Sequence, residues 1–157
     1  MREMINTTQC YIRCGGEVLM QHRIKKRNDE NHDKWIAVGG KFEPGESPEE
    51  CMLREVREET GQCLSSWRYR GIVTFVSDLW GSEFVHLFTA ESDRFDPPPC
   101  DEGVLEWLPW AALGTLPIWE GDKIFLRLLD EEVPFFSLKL RYQGEALVEA
   151  VLNGKPL

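Results

Sequence analysis

Between Ser47 and Gly61 the chain carries both ends of a helix in its own letters, and that stretch limits most strongly what the rest can become. Pro48 suits the first helical turn, with Ser47 before it as N-cap. Glu50 stands three residues after Ser47 and completes a capping box, while Gly61 is a natural C-terminal stop. The spacing predicts a helix over 48–60. At about 100° per residue, Glu55, Glu58 and Glu59 share one face, while Met52, Leu53, Val56 and Thr60 share the next. Such a helix buries one stripe against a sheet and projects carboxylates from its flank.

Three carboxylates within a turn repel one another. Exposed, each like-charged pair costs a few tenths of a kcal/mol, about 0.2–0.5, and burial raises that cost. A hard cation relieves it, and Mg²⁺ takes oxygen ligands while keeping several waters. The competing reading is a plain solvated acidic face, with Arg54 and Arg57 balancing the charge. The residues of the helix alone leave both open.

The flanking chain supplies strands. Alternating and β-branched runs predict strands at 4–13, 17–22 and 35–38, with Cys14-Gly15-Gly16 as the first turn. Further strand signals lie at 63–76, 83–90 and 104–108. Pro109 is placed to start a short helix carrying Trp110 and Ala111. Apolar residues at 124, 125, 128 and 129 predict an amphipathic helix over 121–132, with Arg127 among its polar residues. Segments 135–142 and 146–151 flank Gln143-Gly144 as a final hairpin. The polar loop from Arg23 to Lys34 is about a dozen residues long, a length that often marks function. Its Arg23, Lys25, Lys26 and Arg27 are placed either to meet phosphates or to be solvated. Strands, helix, strands, helix, strands predict an α+β domain with a mixed sheet, and residues 1–157 show no repeat or linker that would divide them.

Composition narrows the function. Eighteen basic against 27 acidic residues give a net charge of −9, which argues against broad nucleic-acid or anionic-membrane binding. Five cysteines, odd in number and without a CxxC pair, argue against a disulfide framework and against structural zinc. The N-terminal MREMINTTQC lacks an apolar signal core, so a reducing cytoplasm is the expected compartment.

The wider spacing decides between the two readings of the helix. Gly40, Glu46, Arg54-Glu55-Val56, Glu58-Glu59 and Gly61 resemble the signature of the Nudix (MutT-like) hydrolases. One position departs: Gln62 stands where an aliphatic residue normally follows the last glycine. The resemblance implies the Nudix fold, an α/β/α sandwich with a mixed central sheet, and hydrolysis supported by Mg²⁺ or Mn²⁺. It implies metal-binding roles for Glu55, Glu58 and Glu59 and for the Gly40 carbonyl, with Arg54 and Glu46 orienting the glutamates. Glu46, lying before the helix, is placed to reach Arg54 in a bidentate contact. One of Glu58, Glu59 or Glu102 would take the proton from water.

The segments WIAVGGKFEPGE, CDEGVLEWLPW and LPIWEGDKIFLRLL further resemble the subgroup that hydrolyses oxidised purine nucleoside triphosphates such as 8-oxo-dGTP. That resemblance implies that Trp119 stacks on a purine, that Asp122 hydrogen-bonds its edge, and that Glu102, beside Asp101, approaches the metal. Each has a plainer alternative: Trp119 as a core anchor, Asp122 as an N-cap of the last helix, Glu102 as a loop acid. Lys41 and Arg23 are candidate phosphate contacts. Ile36 replaces a base-reading asparagine of animal members, and Gly121 with Asp122 replaces a pair of acids. The substrate expected is therefore a nucleoside triphosphate, with a dinucleoside polyphosphate, nucleotide sugar or ADP-ribose as alternatives. A nucleotide-binding regulator without turnover is a third reading. No nucleic-acid or membrane partner is expected, and the state is monomer or homodimer.

Overall fold

A computed structural model describes residues 4–25 and 28–157. Lys26 and Arg27 of the basic loop lie outside the described residues. Nine strands form one sheet: β1 (Met4–Cys14), β2 (Glu17–His22), β3 (Trp35–Ala37), β4 (Arg68–Ser77), β5 (Gly81–Glu91), β6 (Val104–Pro109), β7 (Phe136–Gln143), β8 (Ala146–Leu152) and β9 (Lys155–Pro156). Their order is β3-β2-β1-β5-β4-β7-β8-β9, with β6 on β2. The β1–β5 and β4–β7 pairs are parallel and the others antiparallel, so the sheet is mixed.

Alternation along the strands sorts side chains between two faces. Tyr11, Val18, Met20, Val85 and Leu87 face one core, which Phe125, Leu126, Leu128 and Leu129 of helix α2 (Asp122–Asp130) complete. Cys10, Ile12, Leu19, Phe88 and Ala90 face the other, which Met52 and Val56 of helix α1 (Pro48–Thr60) complete. One helix on each face makes the α/β/α sandwich the sequence predicts.

Helix α1 has the predicted ends. The Ser47 hydroxyl accepts from Glu50 N at 3.1 Å, and the Glu50 carboxylate accepts from Ser47 N at 2.9 Å. Gly61 closes the helix at φ 75°, a conformation that other residues adopt at a cost. Other expectations need correction. Residues 63–67 join no strand, and β4 starts at Arg68. The short helix expected after Pro109 is present as a 3₁₀ turn, Trp110–Thr115, with Pro109 ending β6 as its N-cap and not its first residue. Helix α2 is capped by Gly121 without a side-chain bond, so Asp122 is its first residue and not its N-cap.

The antiparallel β1–β2 pairing holds only near the hairpin, at Arg13↔Val18 and Cys14↔Glu17. Beyond it β2 pairs with β3, and the chain leaving β3 bridges back to β1 at Cys10↔Val38 and Thr7↔Lys41. This insertion lays Gly39-Gly40 against β1 and delivers the chain to α1.

Candidate active site: a carboxylate-lined cleft

A cleft of about 850 Å³ opens between the start of β1, the β3–α1 connection, the flank of α1 and the loop before β6. It gathers Arg23, Gly40, Lys41, Arg54, Glu55, Glu58, Glu59 and Glu102 into one space. Trp119 and Asp122, by contrast, line a smaller hollow of about 40 Å³.

Arg54 fixes the acid wall. Its Nε and Nη2 donate to the two Glu46 oxygens at 2.7 and 2.9 Å, which is the bidentate pair the spacing predicts. Nη1 donates to Glu55 at 2.8 Å and to Glu58 at 3.2 Å, and Nη2 also reaches the Lys41 carbonyl at 3.0 Å. Those contacts account for all five guanidinium donors. Arg54 therefore orients carboxylates and has no donor left for a substrate: it is a positioning residue. The pairing holds Glu46 at a pKa of about 2. Glu46 also accepts from Glu43 N at 2.7 Å, which pins the loop before the helix.

Two glycines make room for this wall. A Cβ on Gly39 would lie 1.9 Å from the Thr8 carbonyl oxygen, and one on Gly40 would lie 2.6 Å from the Glu55 carboxyl carbon. The Gly39 N–H donates to Glu59 at 3.0 Å. The Gly40 carbonyl accepts from Thr8 N at 2.9 Å, so one of its lone pairs already serves the junction with β1. The Cys51 thiol also donates to it, at 3.6 Å, so a cation there would displace that weaker contact.

The acids differ in environment. Glu58 is the open one, its side chain 55% exposed, against 16% for Glu55. Desolvation raises the pKa of Glu55, opposed by Arg54. Desolvation, then the charges of Glu55 and Glu102, push Glu59 up to about 8, against the Gly39 N–H and Arg23. Among the described residues no three Asp, Glu, His or Cys side chains close a tight metal cage. The donors nonetheless fit a hard cation: every one is oxygen, the repulsion that lifts Glu59 is what a divalent ion removes, and Mg²⁺ needs few protein ligands because it keeps its waters.

Arg23 is ion-paired inward. Its Nη1 lies 2.6 Å from Glu102 and its Nε 2.8 Å from Asp29, with Gln21 at 3.1 Å. It ties the loop before β6 to the loop after β2 and so places Glu102 at the cleft. Lys25 donates to the Cys100 carbonyl. Lys41 lines the cleft and is exposed.

Trp119 is a core anchor, 5% exposed. Its ring meets Phe75 and Tyr142 edge-on at 5.3 and 4.8 Å, Lys34 Nζ sits 4.5 Å over its face, and its Nε1 donates to Asn31 at 2.8 Å. An open stacking surface is thus absent until Lys34 moves. Desolvation raises Asp122 to about 8, with the Trp119 backbone and Lys34 opposing. The hollow shares Gln9, Glu30, Asn31 and Glu83 with the main cleft. Glu30 and Glu83 form a carboxyl pair there; desolvation first, then the bond to Glu83, lifts Glu30 to about 8. Sequence reasoning missed this pair. Its members lie in different elements, and no local spacing joins them.

An arginine-clamped acidic helix beside a glycine pair, on a mixed sheet between two helices, defines a Nudix hydrolase. The NUDIX domain family matches residues 6–129, and the chain belongs to it. It is 30% identical over 128 residues to the uncharacterized Nudix hydrolase YvcI of Bacillus subtilis, covering 78% of this chain and 77% of that one. It is 27% identical over 123 residues to an oxidized purine nucleoside triphosphate hydrolase of Danio rerio, covering 76% and 78%. The crystal structure of a MutT protein from Bacillus halodurans superposes with a TM-score of 0.82 at 26% identity, covering 98% of this chain and all of that one. The protein is accordingly an enzyme acting on nucleotide-linked substrates. No helix among the described residues is long and apolar enough to cross a membrane.

Proposed function

We propose that the chain, read as one domain over 1–157, is a Mg²⁺- or Mn²⁺-dependent nucleoside triphosphate pyrophosphohydrolase. Its substrates are purine nucleoside triphosphates, oxidised ones such as 8-oxo-dGTP included, and its products are the monophosphate and pyrophosphate. The observation that carries this reading is the complete use of Arg54's donors to hold Glu46, Glu55 and Glu58 in one wall of a cleft large enough for a nucleotide. The relatives that hydrolyse oxidised purine nucleotides support the substrate class.

In this reading Glu55, Glu58 and Glu59 hold the metal, with Glu102 and the Gly40 carbonyl completing its shell. When bound, the ion polarises a phosphoryl oxygen and lowers the pKa of a water. Glu59 fits the general base best among Glu58, Glu59 and Glu102. The Gly39 N–H fixes one of its oxygens, which orients the carboxylate within the cleft. Arg54 holds the wall in place while charge moves, which avoids reorganisation during reaction. Lys41 meets a phosphate from the rim; Arg23 acts by placing Glu102.

The base would enter beside Gln9, Glu30, Asn31 and Glu83 and reach Trp119 and Asp122 as Lys34 yields. A protonated Asp122 donates to a purine acceptor and an ionised one accepts from its N–H groups. The physiological context proposed is sanitation of the nucleotide pool and protection of DNA, in the cytoplasm, by a monomer or homodimer. A substrate panel tests the reading. Hydrolysis of 8-oxo-dGTP with higher kcat/KM than dGTP, 2-oxo-dATP, ADP-ribose and dinucleoside polyphosphates supports it. Preference for ADP-ribose or a dinucleoside polyphosphate moves the assignment to that class. Metal-independent binding without turnover marks a regulator.

A further inference from the structure

A second concavity, of about 180 Å³, lies at the other end of β1 and β5. The two strands run parallel in register from Met4↔Ser82 to Arg13↔Glu91. The catalytic cleft uses Thr7–Gln9 and Glu83, whereas the second hollow uses Arg13 and Glu91. From Gln9 to Arg13 the strand advances about 13 Å. This hollow gathers three arginines in a chain whose net charge is −9.

The three are held differently. Arg70 is the extra residue of a β-bulge between Tyr69 and Gly71 and is 5% exposed. It donates to Thr89 Oγ1 at 3.1 Å and to the Leu129 carbonyl at 3.0 Å, closing the end of α2. Arg68 donates to Glu132 at 2.6 Å, and Arg70 lies 3.4 Å from the same carboxylate. Glu132 reaches that place from a left-handed backbone, φ 55°, just beyond α2. Arg13 has neither arrangement. Its guanidinium lies 4.3 Å over the Trp110 ring, and its Nε is buried with no acceptor among the described residues. Buried donors without acceptors are rare in folded proteins. Glu91 and Glu132 are the carboxylates lining the hollow, which leaves one positive charge in excess.

We propose that this hollow binds a small phosphate-type oxyanion, orthophosphate or pyrophosphate, through the Arg13 guanidinium with Arg68 at the rim. Guanidinium forks match the oxygens of phosphate, and an anion in the hollow balances the excess positive charge that Arg13, Arg68 and Arg70 bring to it. The volume suits such an ion and excludes a whole nucleotide. The site stands independently of hydrolysis in the cleft, because no residue lines both spaces.

Titration of the full chain in EDTA, at constant ionic strength, tests this. Orthophosphate, pyrophosphate and chloride are compared by calorimetry and by the fluorescence of Trp67 and Trp110. Saturable binding of one of the two phosphates is expected in the wild type and in Glu59→Gln. Arg13→Gln should weaken it about tenfold or more, with hydrolysis and melting temperature kept. If Arg13→Gln does not fold, Arg68→Gln, at an exposed position, serves the same comparison. Absence of saturation up to about 10 mM, equal affinity in the arginine variant, or an equal response to chloride overturns the proposal. The stronger of the two phosphates identifies the ligand.

Discussion

The acid wall of the cleft and the hollow beside Trp119 share Gln9, Glu30, Asn31 and Glu83, yet they are built in opposite ways. The wall is local. Glu46, Arg54, Glu55, Glu58 and Glu59 lie within fourteen residues of sequence, and one capped helix with one guanidinium sets their geometry. The hollow is assembled from β1, β4, β5, α2, β7 and the loop after β2, and a lysine ammonium and an asparagine already occupy the face and the edge of its indole. The first region is pre-set for chemistry. The second must rearrange to admit a base, so catalysis and specificity should respond separately to mutation.

The largest effect should come from the wall. Glu59→Gln keeps the shape of the buried group and removes its proton affinity. Turnover should fall about 10³-fold or more, with the far-ultraviolet spectrum unchanged, as steady-state kinetics and circular dichroism will report. A fully active variant would remove Glu59 from the chemistry. Arg54→Ala should follow, with kcat lower by about 10²-fold and stability lower by about 3 kcal/mol, because Glu46 and Glu55 are left without their partner. Thermal melts separate the two losses, and Arg54→Lys should restore only part of either, since a lysine cannot make the fork to Glu46.

The hollow should respond in stability and KM more than in kcat. Trp119→Ala should cost about 3–5 kcal/mol through the cavity it leaves among Phe75, Tyr142 and Phe125. Trp119→Phe should keep the fold and raise KM for purine substrates severalfold at nearly constant kcat. If kcat and KM fall together, the hollow is coupled to the wall and the contrast fails.

The smallest effect concerns pH. Asp122 has a folded pKa near 8, above its ordinary 3.8. The folded state therefore holds this proton more tightly than the unfolded one. The stability it contributes is complete below about pH 4 and is lost as pH rises toward 8. The melting temperature of the metal-free protein should decline between pH 5 and pH 8, by about 2–4 °C for each kcal/mol lost. Asp122→Asn should lessen that decline, to which Glu30 and Glu59, also raised to about 8, contribute the remainder; an unchanged slope assigns it wholly to those groups.

How much of this the sequence could reveal follows from the same contrast. The helix ends, the two-faced stripe and the Glu46–Arg54 fork all follow from spacing within one segment, and the structure places each as expected. The element order likewise leads to an α+β domain with a mixed sheet, and the family resemblance to the sandwich. What spacing could not reveal depends on contacts between distant segments. Nothing near Trp119 in sequence points to Lys34 over its ring, since 85 positions separate the two. Glu30 and Glu83 meet across 53 positions. Arg23 has the composition of a phosphate ligand, but its donors go to Glu102, Asp29 and Gln21, which only folding brings near. Asp122 carries cap chemistry, but the cap falls one residue earlier, on Gly121, and Asp122 is the first residue of the helix.

In the proposed function the acid wall cleaves a nucleoside triphosphate with the help of a divalent cation. Phosphorus NMR of the protein with 8-oxo-dGTP, before and after Mg²⁺ is added to a chelated sample, tests it most directly. No turnover is expected in chelator and, with Mg²⁺ or Mn²⁺, one pyrophosphate and one monophosphate per substrate consumed. Hydrolysis that persists in chelator, or release of orthophosphate in place of pyrophosphate, would contradict it.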